Sequence, residues 1–216
     1  MEATSRHPST DLENLIAFLK LARMFENFEN YLRKHVEISD TDLKLIRAGS
    51  VERKMRKWQP ILQDGEVWRI NCFIASGCLR LYRFDSEGKD HTLRFGVDNW
   101  WITDLESYNH GTPSVYNIEA LAATNVIIWT KDKWQELMEA IPTLRTFNES
   151  LLANSYEASQ RRIYSLISCS AEVKYNEFQK TYPNIFNRVP LHMVASYLGI
   201  SRETLSRIRK EYTRHN

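Results

Sequence analysis

The apolar positions of the chain change period twice. From Asp11 onward, Leu12, Leu15, Ile16, Leu19 and Ala22 recur at helical spacing, with Thr10 or Asp11 placed to cap, and Phe25, Phe28, Tyr31, Leu32 and His35 continue the pattern. Both runs predict helices. Ser39-Asp-Thr-Asp42 then opens a short helix through Leu43 and Ile46. Between Gly49 and Thr130 the period shortens to the alternation of strands broken by turn residues. The segments are Val51 to Trp58, Trp68 to Ile74, Cys78 to Phe84, His91 to Phe95, Tyr116 to Leu121 and Asn125 to Trp129. Turn signals fall between them at Gln63-Asp-Gly65, Ala75-Ser-Gly77 and Asp85-Ser-Glu-Gly88. Many short strands at regular intervals predict a sandwich or jelly-roll barrel.

After Thr130 the helical period returns. Trp134 to Met138 reads as one short helix, and Pro142 suits the first turn of another that runs to about Ile167 without internal Gly or Pro. Leu144, Phe147, Leu151, Leu152, Ser155, Ala158, Arg162, Ile163 and Leu166 give that helix a partly apolar stripe. At about 25 residues it would be ~37 Å long, more than the domain needs internally. A parallel dimer helix accounts for the spare face, and packing on the barrel is the alternative.

The stretch LHMVASYLGISRETLSRIRKE, from Leu191, has the spacing of two short helices crossing steeply. Val194, Leu198, Ile200, Leu205 and Ile208 form the shared core, Ala195 allows close approach, and Gly199 occupies the sharp turn, where glycine adopts a left-handed backbone most easily. Ser201 is placed to cap the second helix. The pattern is a helix-turn-helix. With Leu205 and Ile208 inward, Arg202, Glu203, Ser206, Arg207 and Lys210 project outward. Arginine pairs bidentately with guanine, and glutamate accepts from cytosine. An acid among bases is expected where bases are read, whereas a surface that binds only phosphate gains nothing from a carboxylate. The projecting residues, with Ser201, Arg209 and Arg214, are the candidate contacts to bases and phosphates.

Charge agrees with this placement. The 216 residues carry a net charge of only +2, yet Arg188 to Asn216 holds six bases and two acids, leaving the remainder slightly acidic. Any nucleic-acid surface is thus local. Cys72, Cys78 and Cys169 form no CxxC pair and read as reduced thiols. No run approaches 18 apolar residues, and the opening MEATSRHPST is polar, so a cytoplasmic protein without a membrane segment is expected.

The run SRETLSRIRK resembles the recognition helix of the Crp/Fnr superfamily of bacterial transcription regulators, in which S-R-E-T-x-x-R recurs. The resemblance implies an α+β architecture: N-terminal helices, an antiparallel β-roll (jelly-roll) sensor domain, a long dimerisation helix and a C-terminal helix-turn-helix domain. The corresponding divisions are a partly helical extension at 1–24, a cyclic nucleotide-binding-like roll at 25–141, the dimer helix at 142–168 and the DNA-binding domain at 169–216. It also implies that Arg202, Glu203 and Arg207 contact base edges, which leaves Ser201, Ser206, Arg209, Lys210 and Arg214 for phosphates, and it implies double-stranded DNA, a homodimer and RNA polymerase as partners.

Two departures limit what carries over. The family's phosphate-binding cassette pairs Gly-Glu with a later Arg-Ser. Here Asp104 follows Thr103, and Ser114 with Val115 stand where Arg-Ser is expected. The phosphate's cation is missing, so no response to cyclic AMP is expected. Asp104, Ser114, Val115 and Ser159 outline the candidate ligand pocket, open to an unidentified small-molecule effector. Trp100, Trp101, Tyr108 and Tyr116 either line such a site or fill the roll. The second departure is at Asn216, directly after the recognition helix, which leaves no room for the family's wing. No cofactor or metal is implied, because three dispersed cysteines cannot supply four thiolates and His35, His91, His110 and His192 form no ligand pattern. A cupin-like metal enzyme is the rival class, but the chain lacks an HxH pair, a GxSxG, an HExxH and a P-loop. A regulator, not an enzyme, is expected.

Overall fold

The computed structural model describes residues 24–183 and 185–215. The helix expected over Leu12 to Ala22 lies outside the described residues. Helix α1 spans residues 24–35, and α2 (Asp40–Ala48) begins at Ser39, whose Oγ accepts the Asp42 N–H at 3.1 Å. Eight strands follow: β1 (Val51–Met55), β2 (Pro60–Leu62), β3 (Ile70–Ser76), β4 (Cys78–Phe84), β5 (Asp90–Val97), β6 (Trp100–Ile102), β7 (Asn117–Ala120) and β8 (Thr124–Thr130), with helix α3 (Leu105–His110) between β6 and β7. They form two antiparallel sheets, ordered β1-β8-β3-β6 and β2-β7-β4-β5. Helices α4 (Lys131–Ala140), α5 (Pro142–Ser168), α6 (Ala171–Thr181), α7 (Leu191–Leu198) and α8 (Arg202–His215) complete the chain. The fold is α+β, as the period changes predict.

The central strands are buried on both faces, and alternate residues enter different cores. Cys72 and Ile74 of β3, with Val126 of β8, Leu79, Ile102 and Ile118, fill the roll interior. Phe73, Ala75, Ile127 and Trp129 point the other way, into a cluster with Phe25, Phe28 and Leu32 of α1, Trp134 of α4 and Leu144 of α5. The Trp129 indole N–H donates to the Ile46 carbonyl at 2.8 Å, which fixes α2 to this sheet. A third cluster joins Cys78, Phe95 and Leu121 of the roll to Tyr175, Phe178, Tyr182, Val194, Leu198 and Leu205 of the C-terminal helices. The roll is thus packed between α1 and α2 on one side and the helix-turn-helix on the other.

Helix α5 divides its faces along its length. Leu144 and Phe147 pack on the roll cluster, whereas Leu152, Tyr156, Ile163, Leu166 and Ile167 are 42, 66, 51, 39 and 79% exposed. Barrel packing accounts for the start of the helix, and an exposed apolar face lies beyond it.

Candidate nucleic-acid interface and sensor cleft

Helix α7 ends where Gly199 adopts φ +64°, and its N–H bonds to the Ala195 and Ser196 carbonyls. The Ile200 N–H reaches back to Ala195 O at 3.1 Å, closing a left-handed C-cap that redirects the chain. Ser201 then caps α8: its Oγ accepts the Thr204 N–H at 3.1 Å. Val194, Ala195, Leu198, Leu205 and Ile208 are buried, and Ile200 packs partly buried against them. Helix α6, capped by Ser170, supplies Tyr175 and Phe178 as the third wall of this small core.

Arg202, Glu203, Ser206, Arg207 and Lys210 are all exposed on α8. Arg207 makes two surface ion pairs, with Glu211 at 3.4 Å and Glu172 at 3.8 Å. Exposed pairs of this kind are weak and exchange readily for a better partner. The Glu203 carboxyl is held below its usual range by its own backbone N–H and then by the Ser201 hydroxyl. It therefore also serves the first helical turn, where a negative charge is favoured, a role that the base-reading assignment did not include. Arg209 is only partly exposed, because its guanidinium lies over the Phe186 ring at 4.8 Å. The Arg214 side chain lies outside the described residues.

The helix-turn-helix docks on β5, the edge strand of its sheet. Ser196 Oγ accepts the Thr92 N–H at 2.9 Å and donates to Asp90 O at 3.4 Å, and Tyr182 Oη donates to Phe95 O at 3.2 Å. These bonds satisfy backbone groups that an open sheet edge would leave to solvent. Arg188 adds a two-pronged contact with Asp98, at 3.1 and 3.3 Å. Beneath the junction Arg80, 1% exposed, donates to Thr92 Oγ1 at 2.9 Å and pairs with Asp90 and, at 3.7 Å, with Glu119.

The sequence-derived pocket residues have internal duties. Buried Asp104 caps α3, its Oδ1 accepting the Ser107 N–H at 3.3 Å. Ser114, also buried, accepts the Tyr116 N–H at 2.9 Å, and its backbone is tied to Gly65 and Glu66. Val115 is 39% exposed, and Ser159, on α5, donates to Ser155 O at 2.9 Å. The structure therefore groups Asp104 and Ser114 around α3 and β7 and leaves Ser159 on a different element. The aromatic residues divide similarly. Trp101 joins the cluster of Phe28, Phe73, Trp129 and Trp134, Trp100 stacks on Tyr182, and Tyr108 packs on the roll interior. Burial pushes the thiols of Cys72 and Cys78 up to about 12, removing the thiolate that reactivity or metal binding needs. Among the described residues no cluster of His, Cys, Asp and Glu is arranged to hold a metal ion, and no helix is long and apolar enough to cross a membrane.

Comparison with known proteins agrees with this architecture. Residues 52–140, essentially β1 to the end of α4, match the cyclic nucleotide-binding domain family. A search of curated proteins finds no match. Solved structures share the fold. FixK2 from Bradyrhizobium japonicum is 16% identical with a TM-score of 0.66, the alignment covering 77% of this chain and 85% of that one. The c-di-GMP responsive regulator CLP from Xanthomonas campestris is 11% identical with a TM-score of 0.65, covering 82% and 93%. A transcriptional regulator assigned to the Crp/Fnr family from Eubacterium rectale is 19% identical with a TM-score of 0.60, covering 82% and 85%.

Proposed function

We propose that the chain is a sequence-specific DNA-binding transcription regulator of the Crp/Fnr type, acting as a homodimer on a roughly palindromic site. The observation that carries this reading is α8: a capped helix that buries Leu205 and Ile208 while Arg202, Glu203, Ser206, Arg207 and Lys210 stay in solvent. Arg202, Glu203 and Arg207 read base edges, and Ser201, Ser206 and Lys210 hold phosphates, with Arg214 and the aromatic-stacked Arg209 at the margin. The exposed residues of α5 support the dimer, since Leu152, Tyr156, Ser159, Ile163 and Leu166 follow the alternating four- and three-residue spacing of a coiled-coil seam. Two parallel copies would place two α8 helices about one DNA turn, ~34 Å, apart.

Cyclic AMP is not the effector in this proposal. The roll interior is lined by apolar residues, Ser114 is spent on its own turn, and the buried Arg80 is engaged on the opposite sheet face by Asp90 and Glu119. A buried phosphate without a cation is unfavourable. Selection of binding sites from randomised duplex DNA tests the main reading. Recovery of a two-fold symmetric motif is the expected result, and enrichment of no motif at low salt would overturn it.

A further inference from the structure

At the junction of β5, α5 and α7 two arginines, Arg94 and Arg162, lie near enough to influence each other's charge, and among the described residues neither forms an ion pair with a carboxylate. Arg94, opposite Leu81 in the sheet register, reaches across to α5 and donates to Ser155 Oγ at 3.0 Å. Arg162 lies two turns further along α5, on the same face as Ser155. Its guanidinium stacks over the Tyr197 ring at 3.7 Å, and Nη2 donates to the Tyr197 carbonyl at 2.9 Å. Its Nε is buried and has no hydrogen-bond partner. Burial holds Arg162 below the ordinary guanidinium range and the charge of Arg94 lowers it further, against opposing contributions from Tyr197 and Tyr182.

What sets Arg162 apart is burial: the buried Arg80 is joined by Asp90 and Glu119, whereas Arg162 has no carboxylate contact among the described residues and keeps a buried Nε without a partner. Two like charges in a partly buried cleft are costly unless a counter-charge joins them. The arginine fork fits a planar or tetrahedral oxyanion through paired N–H donors. We propose that Arg94 and Arg162 form the binding site of a small oxyanion carrying two negative charges, a phosphate monoester or a dicarboxylate, beside Tyr197 where β5, α5 and α7 meet. Ser155 Oγ, which accepts from Arg94, supplies a neutral partner, and the Tyr197 ring beneath Arg162 offers an apolar wall. This site is distinct from the roll interior and uses none of the cassette residues Asp104, Ser114 and Val115.

Position gives the site a consequence. Tyr197 belongs to the last turn of α7, just before the turn at Gly199 that aims α8. An oxyanion competes with the Tyr197 carbonyl for the Arg162 guanidinium, so binding loosens one of the ties between α5 and the helix-turn-helix. The oxyanion site itself does not depend on the DNA-binding reading, whereas its effect on DNA affinity rests on it.

The test titrates the full chain with inorganic phosphate and with succinate, each against sodium chloride at matched ionic strength, by calorimetry and by unfolding temperature. Saturable binding of one probe is expected, with a rise in unfolding temperature beyond that in chloride. Arg94→Gln and Arg162→Gln should each weaken it about tenfold or more, the loss expected for one charged hydrogen-bonding partner. The responding probe distinguishes a phosphate ligand from a dicarboxylate. If neither anion does more than chloride, the site is overturned, and Arg94→Gln with the wild-type titration decides the matter should Arg162→Gln fold poorly. DNA affinity measured with and without the bound probe reads the coupling separately. Anion binding with DNA affinity unmoved overturns the coupling alone, and failure to bind any DNA overturns the regulator reading alone.

Discussion

At the residue scale the division of work proposed for the exposed side chains of α8 is measurable. Arg207→Ala should cost about 1–3 kcal/mol on the preferred duplex and relax preference at one base pair, after its weak pairs with Glu172 and Glu211 are discounted. Lys210→Ala should instead weaken all sequences alike and reduce the salt slope by about one unit. In the proposed function Glu203 is a base reader as well as an acceptor in its own helix turn, and Glu203→Ala probes the first of these roles. It removes the carboxylate, so non-specific binding should strengthen as repulsion from phosphate is lifted, while preference at one base pair relaxes. If the motif selected from randomised DNA is identical at every position, Glu203 serves only its own helix. The buried thiols give a second residue-scale expectation. Cys72 and Cys78 stay protonated in the fold up to about 12, against a reference value of 9.0. The unfolded chain loses these protons first, so stability falls as pH rises from about 9 toward 12, with a slope near 1.4 kcal/mol per pH unit for each thiol. Native-state thiol titration at pH 8 should accordingly find one reactive cysteine, the partly exposed Cys169, and unfolding should release the other two.

At the element scale the turn glycines separate conformational strain from steric clash. Gly199 has φ +64°, and a Cβ there would meet only Leu166 at 3.5 Å, an ordinary contact. Gly199→Ala should therefore cost only the left-handed backbone, about 1–2 kcal/mol. Gly77 has φ +114°, and a Cβ would lie 2.4–2.7 Å from Thr124 atoms, so Gly77→Ala should cost clearly more, measured by denaturant unfolding of both variants. Ile163→Glu tests α5: the side chain is 51% exposed in the single chain, so the variant should fold normally yet sediment as a monomer. Strong local patterns made these elements legible. Cys78 to Phe84 is β4 end to end, Pro142 opens α5, and Ser201 caps α8 as the spacing predicts. The three-residue strands β2 and β6 are too short to show a period, and they exist only because β7 and β3 pair with them. Helix α3 rests on its cap and C-terminal glycine, Asp104 and Gly111, while Asp104 was read as a ligand contact. Helix α6 went unread because its small apolar face, Tyr175 and Phe178, matters only once α7 and α8 lie against it.

At the scale of the whole molecule the unreadable feature is the junction between roll and helix-turn-helix, because its contacts join residues about a hundred positions apart and leave no local period. Thr92 meets Ser196 across 104 positions, and Arg94 meets Ser155 of α5 across 61. Phe95 is the centre of that junction. It is fully buried, and its ring faces Phe178, Tyr182 and Tyr197 at centroid separations of 6.2, 5.9 and 5.5 Å. Its carbonyl accepts the Tyr182 hydroxyl, so one strand residue contributes both an apolar anchor and a polar tie. A core shared between two parts couples their unfolding, and wild-type protein should therefore melt in a single calorimetric transition. Phe95→Ala removes the shared ring, at a cost of about 3–5 kcal/mol for a buried phenylalanine. The three aromatic partners all lie on the helical side, so the loss falls on the docking interface more than on the roll interior, which is built from Leu79, Ile74 and Ile118. The variant should melt in two steps, the helix-turn-helix first and the roll near its wild-type temperature. A single transition merely shifted downward would mean that Phe95 supports the roll itself and that docking rests on the polar ties of Ser196, Tyr182 and Arg188.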